Sequence, residues 1–312
     1  MLNHINKLSV FFRINGLQSL VLFVTYKVAN AIVSVFEYIS KKTYIKFEAL
    51  LLKKYKNSKD LQRNKILKDN HQGQEALIIA TGPSASIEIV KQQVNNKVII
   101  TVNEGFIFLN QYNVSPNYVI INDDNYFIGD RKNVLSKLII MLREMKVKAL
   151  LPLKHKEMII SHFEDCPTGK IFFYHTFPSN IDTMRLMDSV QFDFELPMPS
   201  FPTVTHCAMV FSMFIGCMKT YLLGVDLDYI ITSTKTIRHC YDGLEGFEKS
   251  LETCIKEYER TMNWSFELLL QKTQEQLQYF KIIKALSQRK QHTIINLSNQ
   301  SCLEEFVFGS MS

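Results

Sequence analysis

Short apolar runs, each followed by polar residues, fill the chain after residue 75 and constrain its fold more than any other feature. Their Ile, Val and Leu residues and their length are typical of buried strands. Helical patterns occur between them, at 137–145 and 203–217. Apolar runs that alternate with helices predict an α/β, Rossmann-like fold, in which a mostly parallel sheet is covered by helices on both faces. The predicted strands are 76–80, 97–103, 117–123, 147–153, 170–175, 219–229 and 291–298.

Polar side chains stand at the carboxyl ends of these predicted strands. In an open parallel sheet, this edge is where ligands bind. Each polar residue taken singly is also compatible with an ordinary loop or helix cap, but six strand ends converge there and favour a site. The candidates are Thr81, Gly82, Pro83, Ser84, Asn103, Glu104, Asp123, Asp124, Asp226, Asp228 and Ser298.

The segment ATGPSAS joins the first predicted strand to a predicted helix. It lacks both the G-x-G-x-x-G fingerprint of dinucleotide sites and the G-x-x-x-x-G-K-[ST] pattern of P-loops. Gly82 lets a ligand approach the backbone closely, Pro83 suits the first turn of a helix, and Ser84 is expected to cap that helix. Because the N–H groups of a helix N-terminus favour an anion, a nucleotide phosphate or ribose fits this turn, although G-P-S alone is a weak signal.

The composition excludes some classes of protein. With 46% hydrophobic and 21% charged residues, the 312-residue chain has a globular balance. Its net charge of +6 comes from the first 75 residues, which hold 13 Lys or Arg against 5 Asp or Glu. A nucleic-acid-binding core would carry positive charge on the folded domain, so we expect no nucleic-acid partner. The six cysteines form no C-x-x-C pair, which is typical of reduced thiols in a cytoplasmic protein.

Residues 14–38 are strongly apolar but contain Lys27 near their middle, and a lysine-rich stretch follows them. A spanning helix needs about 20 apolar residues, and no signal-peptide cleavage pattern is present. We expect a helix that lies in or against a membrane surface, with contact through residues 8–60, because lysines beside an apolar helix favour an anionic leaflet. The alternative is a helical hairpin packed on its own domain or on a second subunit, which leaves a homo-oligomer open.

Five segments occur in the order found in one bacterial superfamily. NHQGQEALIIATGPSAS resembles its strand and G-P-S turn, VNEGF its V-N-x-F segment, and GCMKTYLLGVDLDY its G-V-D strand. RHCYDG resembles its lid segment, and HTIINLSNQSCLEEF resembles its closing segment. The superfamily includes the sialyltransferases of glycosyltransferase family 42, the motility-associated flagellin glycosyltransferases and the proteins named after an archaeal hydroxymethylpterin diphosphokinase. The resemblance covers residues 57–306.

The resemblance implies a variant GT-A fold with a mobile lid, and transfer of a sialic-acid-like (nonulosonic) sugar from a CMP-activated donor. The acceptor would be a surface glycan or a lipid-linked molecule, at the cytoplasmic face of the inner membrane. No cofactor and no metal are expected. His239 of the lid would be the general base, because neutral imidazole suits this role near pH 7, and Asp228 is the second catalytic candidate. The donor-binding candidates are Thr81, Gly82, Pro83, Ser84, Asn103, Glu104, Asp124, Thr203, Asp226, Tyr241, Ser298 and Ser301.

The charge and apolar pattern, together with the resemblance, predict how the chain is divided. We expect residues 1–70 to form a basic, apolar helical region and residues 71–312 to form the nucleotide-binding α/β domain, with a lid and helical insertion at about 230–285. The chain departs from the family pattern at Thr81, at Ala85 and at TVTH (203–206), where a Ser-Gly pair is usual. These departures leave the choice of acceptor and donor open.

Two other functions stay open. One is a pterin diphosphokinase-like phosphotransferase that uses ATP and Mg, for which Asp123, Asp124, Asp226 and Asp228 are available as ligands. D-L-D at 226–228 also matches the metal-binding D-x-D pattern of many glycosyltransferases. The other is a non-catalytic, nucleotide-binding partner in a membrane glycan-assembly complex.

Overall fold

The computed structural model of the protein describes residues 2–129, 131–162, 167–178, 192–227, 266–298 and 301–309. The chain divides into two compact units, Met1–Lys54 and Tyr55–Ser312. The first unit is helical, and the second contains the sheet.

Helix α1 runs from Leu2 to Tyr55. Its backbone satisfies several of its own hydroxyl groups. Thr25, Ser34 and Thr43 each donate to the carbonyl oxygen four residues earlier, over 2.9, 3.0 and 2.9 Å. None of the helices in the described residues combines the length and apolar character that crossing a membrane requires.

The second unit is built on eight strands in the order β10-β9-β8-β1-β2-β3-β4-β5, and every neighbouring pair is parallel. This confirms the predicted parallel sheet. A separate pair of strands, β6 and β7, is also parallel. The strands are β1 (Glu75–Ile79), β2 (Lys97–Val102), β3 (Tyr118–Ile120), β4 (Lys148–Pro152), β5 (Ile171–Tyr174), β6 (Thr176–Phe177), β7 (Met198–Pro199), β8 (Lys219–Leu223), β9 (Thr293–Asn296) and β10 (Val307–Phe308).

Helices cover both faces of this sheet, as predicted. On one face, helices α3 to α6 pack against strand residues such as Leu77 and Val119. On the other face, α7 and α8 pack against residues such as Ile78 and Ile100 in the largest core cluster. Within the described residues, the helices after α1 are α2 (Lys59–Gln62), α3 (Ile87–Gln93), α4 (Gly105–Gln111), α5 (Lys132–Glu144), α6 (Lys156–His162), α7 (Val204–Phe214) and α8 (Phe266–Arg289).

The strand order reverses between β1 and β8, which lie side by side. The connection from β1 to β2 contains α3, on one face of the sheet. The connection from β8 to β9 contains α8, on the other face. In open α/β sheets, such a switch point forms a crevice at the carboxyl ends of the flanking strands, here β1 and β8, and ligands usually bind there.

The predicted strands all occur, but several are shorter than expected. The run at 219–229 is a strand only as far as Leu223, because Gly224 turns the chain with a φ of 75°. The helical patterns at 137–145 and 203–217 correspond to α5 and α7, as predicted.

Candidate functional site

The turn after β1 is held against the end of β8 by its backbone. The N–H of Ala80 donates to Leu223 O over 2.8 Å, and the N–H of Gly82 donates to Gly224 O over 2.9 Å. The N–H of Ala85 donates back to Gly82 O over 3.1 Å. A Cβ atom on residue 82 would lie 2.5 Å from Gly224 O, so only glycine fits there. Gly82 therefore allows the neighbouring loop of the same chain to approach the turn closely.

Asp226 crosses the crevice and binds the turn. Its Oδ2 accepts from the backbone N–H of Ser84 over 3.0 Å, and its Oδ1 accepts a short hydrogen bond from the Ser84 hydroxyl. The side chain of Asp226 is buried, so this carboxylate already occupies the position that an anion would take at the Ser84 N–H. A charge-assisted pair of bonds of this kind is strong and fixes both loops.

The predicted cap role of Ser84 is wrong. Helix α3 begins at Ile87, and its N-cap is Ser86, whose hydroxyl oxygen accepts from the N–H of Ile89 over 3.3 Å. Ser84 lies two residues before that cap and donates to Asp226 instead. The Ser84 and Gly82 N–H groups are both engaged within the chain, so the turn does not offer them to a phosphate.

Ser298 and Ser301 complete the wall of the crevice after β9. The Ser298 hydroxyl oxygen accepts from the N–H groups of Gly224 and Val225 over 2.9 and 3.2 Å, and it is buried. The Ser301 hydroxyl donates to Val225 O over 2.5 Å. Both serines therefore hold the loop after β8 in place. We call Gly82, Ser84, Gly224, Asp226 and Ser298 the switch-point group.

Asn103 stands at the carboxyl end of β2, the strand next to β1. Its φ is 49°, a left-handed conformation that asparagine tolerates better than most residues. Its N–H donates to Ile120 O over 2.9 Å, which places it between β2 and β3. Its side-chain Oδ1 is buried and accepts no hydrogen bond in the structure. A buried acceptor without a partner costs free energy, so a donor from a ligand or water would stabilise this position.

Glu104 is buried beside Asn103 at the start of α4. The Tyr126 hydroxyl donates to Glu104 Oε2 over 2.5 Å, and Arg131 Nη1 lies 3.2 Å from Glu104 Oε1. Burial and the neighbouring Glu104 carboxylate raise the pKa of Tyr126, so its hydroxyl stays protonated and donates. Glu104 was a predicted donor-binding residue, and its carboxylate is compensated by these two side chains.

Asp124 forms a second charged cluster, at the ends of β3 and β4. Its Oδ1 lies 2.9 Å from His155 Nε2, and its Oδ2 accepts from Lys154 Nζ over 2.8 Å. The His155 ring stacks on Phe127 at a centroid distance of 4.3 Å. Burial raises the pKa of Asp124, but the bonds from Lys154 and His155 outweigh it and hold the pKa below its usual range. We call Glu104, Tyr126, Asp124, Lys154 and His155 the outer group.

Thr203 precedes α7 as its N-cap residue, and its hydroxyl pairs with His206 Nδ1 over 2.7 Å. His206 Nε2 lies 3.2 Å from Gln276 O, and the ring is fully buried. Burial lowers the pKa of His206 to about 3, so the ring is neutral at physiological pH. His206 therefore joins α7 to α8 as a structural residue.

Three predicted residues, Asp228, His239 and Tyr241, lie outside the described residues, as does most of the expected lid. Within the described part of the chain, no group of three or more His, Cys, Asp or Glu side chains is arranged to hold a metal ion. The structure brings Ser84, Asp226, Ser298 and Ser301 together around one crevice, with Asn103 on the next strand.

Sequence reasoning missed Tyr126, Lys154 and His155 as members of this edge. Lys154 and His155 directly follow the predicted fourth strand, and that position could have identified them as candidates for this edge. Tyr126 gave no local signal, because its partner Glu104 is 22 residues earlier in the chain.

Comparison with known proteins gives one family match and several distant structural similarities. The chain is similar to the sialyltransferase CstII from Campylobacter jejuni, with 13% identity and a TM-score of 0.42, over 75% of this chain and 85% of CstII. It is also similar to the MAf glycosyltransferase from Magnetospirillum magneticum AMB-1, with 14% identity and a TM-score of 0.46. That similarity covers 80% of this chain but only 38% of the MAf protein. No curated protein sequence is significantly similar to this chain.

The family model of the 6-hydroxymethylpterin diphosphokinase MptE-like proteins matches residues 51–232. This match includes β1 to β8, the turn after β1 and the switch-point residues up to Asp226. It agrees with the superfamily indicated by the ordered segments of the sequence. Because the match spans more than half of the 312 residues, the chain belongs to the 6-hydroxymethylpterin diphosphokinase MptE-like family.

Proposed function

We propose that the protein is a glycosyltransferase that moves a sialic-acid-like sugar from a CMP-activated donor to a surface-glycan or lipid-linked acceptor. The observation that supports this most is the buried, unpartnered Oδ1 of Asn103, at the carboxyl end of β2 and one strand from the switch point. This acceptor suits a hydroxyl or amino group of a nucleoside. The resemblance of the five ordered segments to CMP-sugar transferases supports the choice of cytidine.

In this proposal, the switch-point group shapes the donor pocket, and other groups make the direct contacts with the donor. The N–H groups of Gly82 and Ser84 are engaged with Gly224 and Asp226. Pro83 is exposed and Thr81 is half-buried, so these two residues present the outer surface of the turn to a ligand. In this proposal, the donor phosphate is bound by groups that come from beyond Asp226, with Tyr241 as the sequence candidate.

The reaction would need a base for the acceptor and stabilisation for the departing CMP. His239 would take the proton of the acceptor hydroxyl as the new glycosidic bond forms. The bond between the sugar and the CMP phosphate breaks, and the electron pair leaves with the phosphate oxygen. Hydroxyl and amide donors can stabilise that charge without a metal ion. A loop that closes over the donor would exclude water and limit hydrolysis.

A second candidate function is a diphosphokinase-like transfer from ATP, which the description of the matching family favours. That reaction would require carboxylates for Mg²⁺ at the phosphates. In the structure, Asp226 accepts from Ser84, and Asp124 pairs with Lys154 and His155. These carboxylates would have to exchange their present partners for the metal.

We expect His239→Ala to lower the turnover of a CMP-activated nonulosonic sugar by roughly 100-fold or more, because general-base catalysis contributes on this scale. CMP affinity should stay within a factor of about two, since the base acts on the acceptor. Release of CMP, measured with each donor sugar in the presence of a glycan acceptor, checks the first expectation, and calorimetric titration with CMP checks the second.

The control for this experiment is His71→Ala. His71 lies on the amino-terminal side of β1, where Nε2 contacts the Tyr118 hydroxyl over 2.9 Å. Turnover by this variant should match that of the unaltered protein. Unchanged turnover in the His239 variant would overturn the base assignment, and Mg-dependent consumption of ATP with a pterin would favour the second function.

A further inference from the structure

Helix α1 presents large apolar side chains to solvent on most of its circumference. Those with a described exposure include Val21, Val28, Val35 and Ile39, which are 52–57% exposed, and Phe36, which is 66% exposed. Because successive residues of a helix are rotated by about 100°, Val21, Val28, Val35 and Ile39 lie on one side of it. Such a surface is unfavourable in water and marks an interaction site.

The polar residues of this segment occupy a narrow stripe. Lys27, Asn30, Ser34 and Glu37 are spaced three or four residues apart, so their positions lie within a sector of about 80°. Thr25 lies outside this stripe, and its hydroxyl donates to a carbonyl oxygen of the helix. Phe36 lies on the opposite side of the helix from that stripe, and Tyr26 and Val33 both lie beside one edge of it. The apolar side chains therefore cover about two thirds of the circumference between residues 21 and 39.

Three hydroxyl groups of α1 find their hydrogen-bond acceptors within the helix. Thr25, Ser34 and Thr43 donate to carbonyl oxygens within the helix, as described above. Bonds of this kind let Ser and Thr enter an apolar environment, since an unpaired hydroxyl there is costly. Thr25 and Thr43 share the side of the helix on which Phe36 lies, so this satisfaction of their hydroxyl groups suits a face that enters hydrocarbon.

The helix also carries the whole net charge of the protein. Residues 2–55 contain eight Lys or Arg and two Glu, a net charge of +6. The remaining residues contain 28 of each sign, because the full chain has 36 basic and 30 acidic residues. Five of the eight are the lysines at 41, 42, 46, 53 and 54, which follow the apolar segment. This distribution complements an anionic surface.

From these observations we propose that α1 binds an anionic lipid bilayer and lies along its surface. The broad apolar face enters the boundary between headgroups and acyl chains, and the stripe of Lys27, Asn30 and Ser34 faces water. The long side chains of Lys42, Lys46 and Lys53 reach the headgroups, as amphipathic lysines do at interfaces.

Lipid suits this surface better than a second copy of the chain. A two-helix seam uses two of every seven positions and covers one stripe. A partner packed on Val21, Val28 and Val35 would leave Phe36 and Tyr26 in water, on other sides of the helix. Two copies would also place net charges of +6 beside each other.

The test is flotation of the full chain with vesicles of phosphatidylcholine, alone or with about a third of phosphatidylglycerol. We expect the protein to float with the anionic vesicles at low salt and to dissociate partly at high salt. The triple variant K42Q, K46Q, K53Q should lower the partition coefficient by about tenfold or more. The matched control K65Q, K146Q, K290Q changes three exposed lysines of the second unit and should leave the partition coefficient unchanged.

The apolar contribution is tested in the same assay. Val28→Ser with Val35→Ser should weaken flotation with both kinds of vesicle, because it removes apolar area from the lipid-facing side. Ile128→Ser with Val307→Ser changes two exposed apolar residues of the second unit, 68% and 77% exposed, and should have no effect. Absence of flotation with either vesicle, or flotation that the α1 variants leave unchanged, would overturn the proposal. A stable dimer that does not bind vesicles would assign the surface to a second copy.

Discussion

Gly224→Ala should destabilise the second unit by roughly 3 kcal/mol or more, because it combines a strained backbone with a steric clash. Gly224 has a φ of 75°, in the region that L side chains rarely adopt. A Cβ atom at this position would lie 2.5 Å from Ala80 O and 2.9 Å from Ala85 Cβ. Both neighbours belong to the turn after β1, so the turn and the end of β8 would have to separate. Urea unfolding followed by circular dichroism measures the loss.

Substitutions at two other glycines distinguish the effect of backbone strain from the effect of the steric clash. Gly73 also has a positive φ, 77°, but no atom lies within 4 Å of its would-be Cβ, so Gly73→Ala should cost only about 1 kcal/mol. Gly169 has neither feature, and Gly169→Ala should change stability by less than about 0.5 kcal/mol. Equal effects at positions 224 and 73 would show that the β1 turn does not pack against β8 as described.

Asp226→Ala should lower the free energy of unfolding by roughly 2–4 kcal/mol and abolish ordered packing of the turn. The substitution removes both acceptors of Ser84, the backbone N–H and the hydroxyl. The N–H of Ser84 would then compete with water in a crevice where the carboxylate had been buried. Hydrogen exchange at the Ser84 amide, together with urea unfolding, measures the effect.

The matched control for this prediction is Asp193→Ala. Asp193 also accepts from a backbone N–H, that of Glu195 over 2.9 Å, and from a side chain, Lys68. Its side chain is more exposed, at 25%, so water replaces the lost bonds and the cost should stay near 1 kcal/mol. If the two substitutions cost the same, the Asp226 carboxylate does not hold the turn.

The strands and their parallel order could be predicted because each is a local apolar run. β1 and β2 appear within one residue of their predicted bounds, and β8 begins at Lys219 as predicted but ends at Leu223. The polar residues after these strands meet at one edge. The role of Ser84 could not be predicted in this way. Its partner, Asp226, is 142 residues later in the chain, and local propensity favoured a helix cap instead.

The chemistry of the site was less predictable than its position. Asn103 follows β2 in the sequence, but its left-handed φ and the missing partner of its Oδ1 depend on the packing of three strands. Likewise, Asp124 and Glu104 were ligand candidates by position alone. Their partners Lys154 and Tyr126 lie 30 and 22 residues away in the chain and compensate their charges within the protein.

We propose that Asn103 marks a CMP site at the carboxyl edge of the sheet. Calorimetric titration of the full chain with CMP, without divalent metal, measures this binding. We expect saturable binding that Asn103→Ala weakens by about tenfold, the worth of one hydrogen bond. Asn113→Ala is the control, since Asn113 has a similar φ of 58°, is exposed and lies between α4 and β3. No binding of CMP, or equal affinity in the Asn103 variant and the unaltered protein, would show that Asn103 does not mark a CMP site.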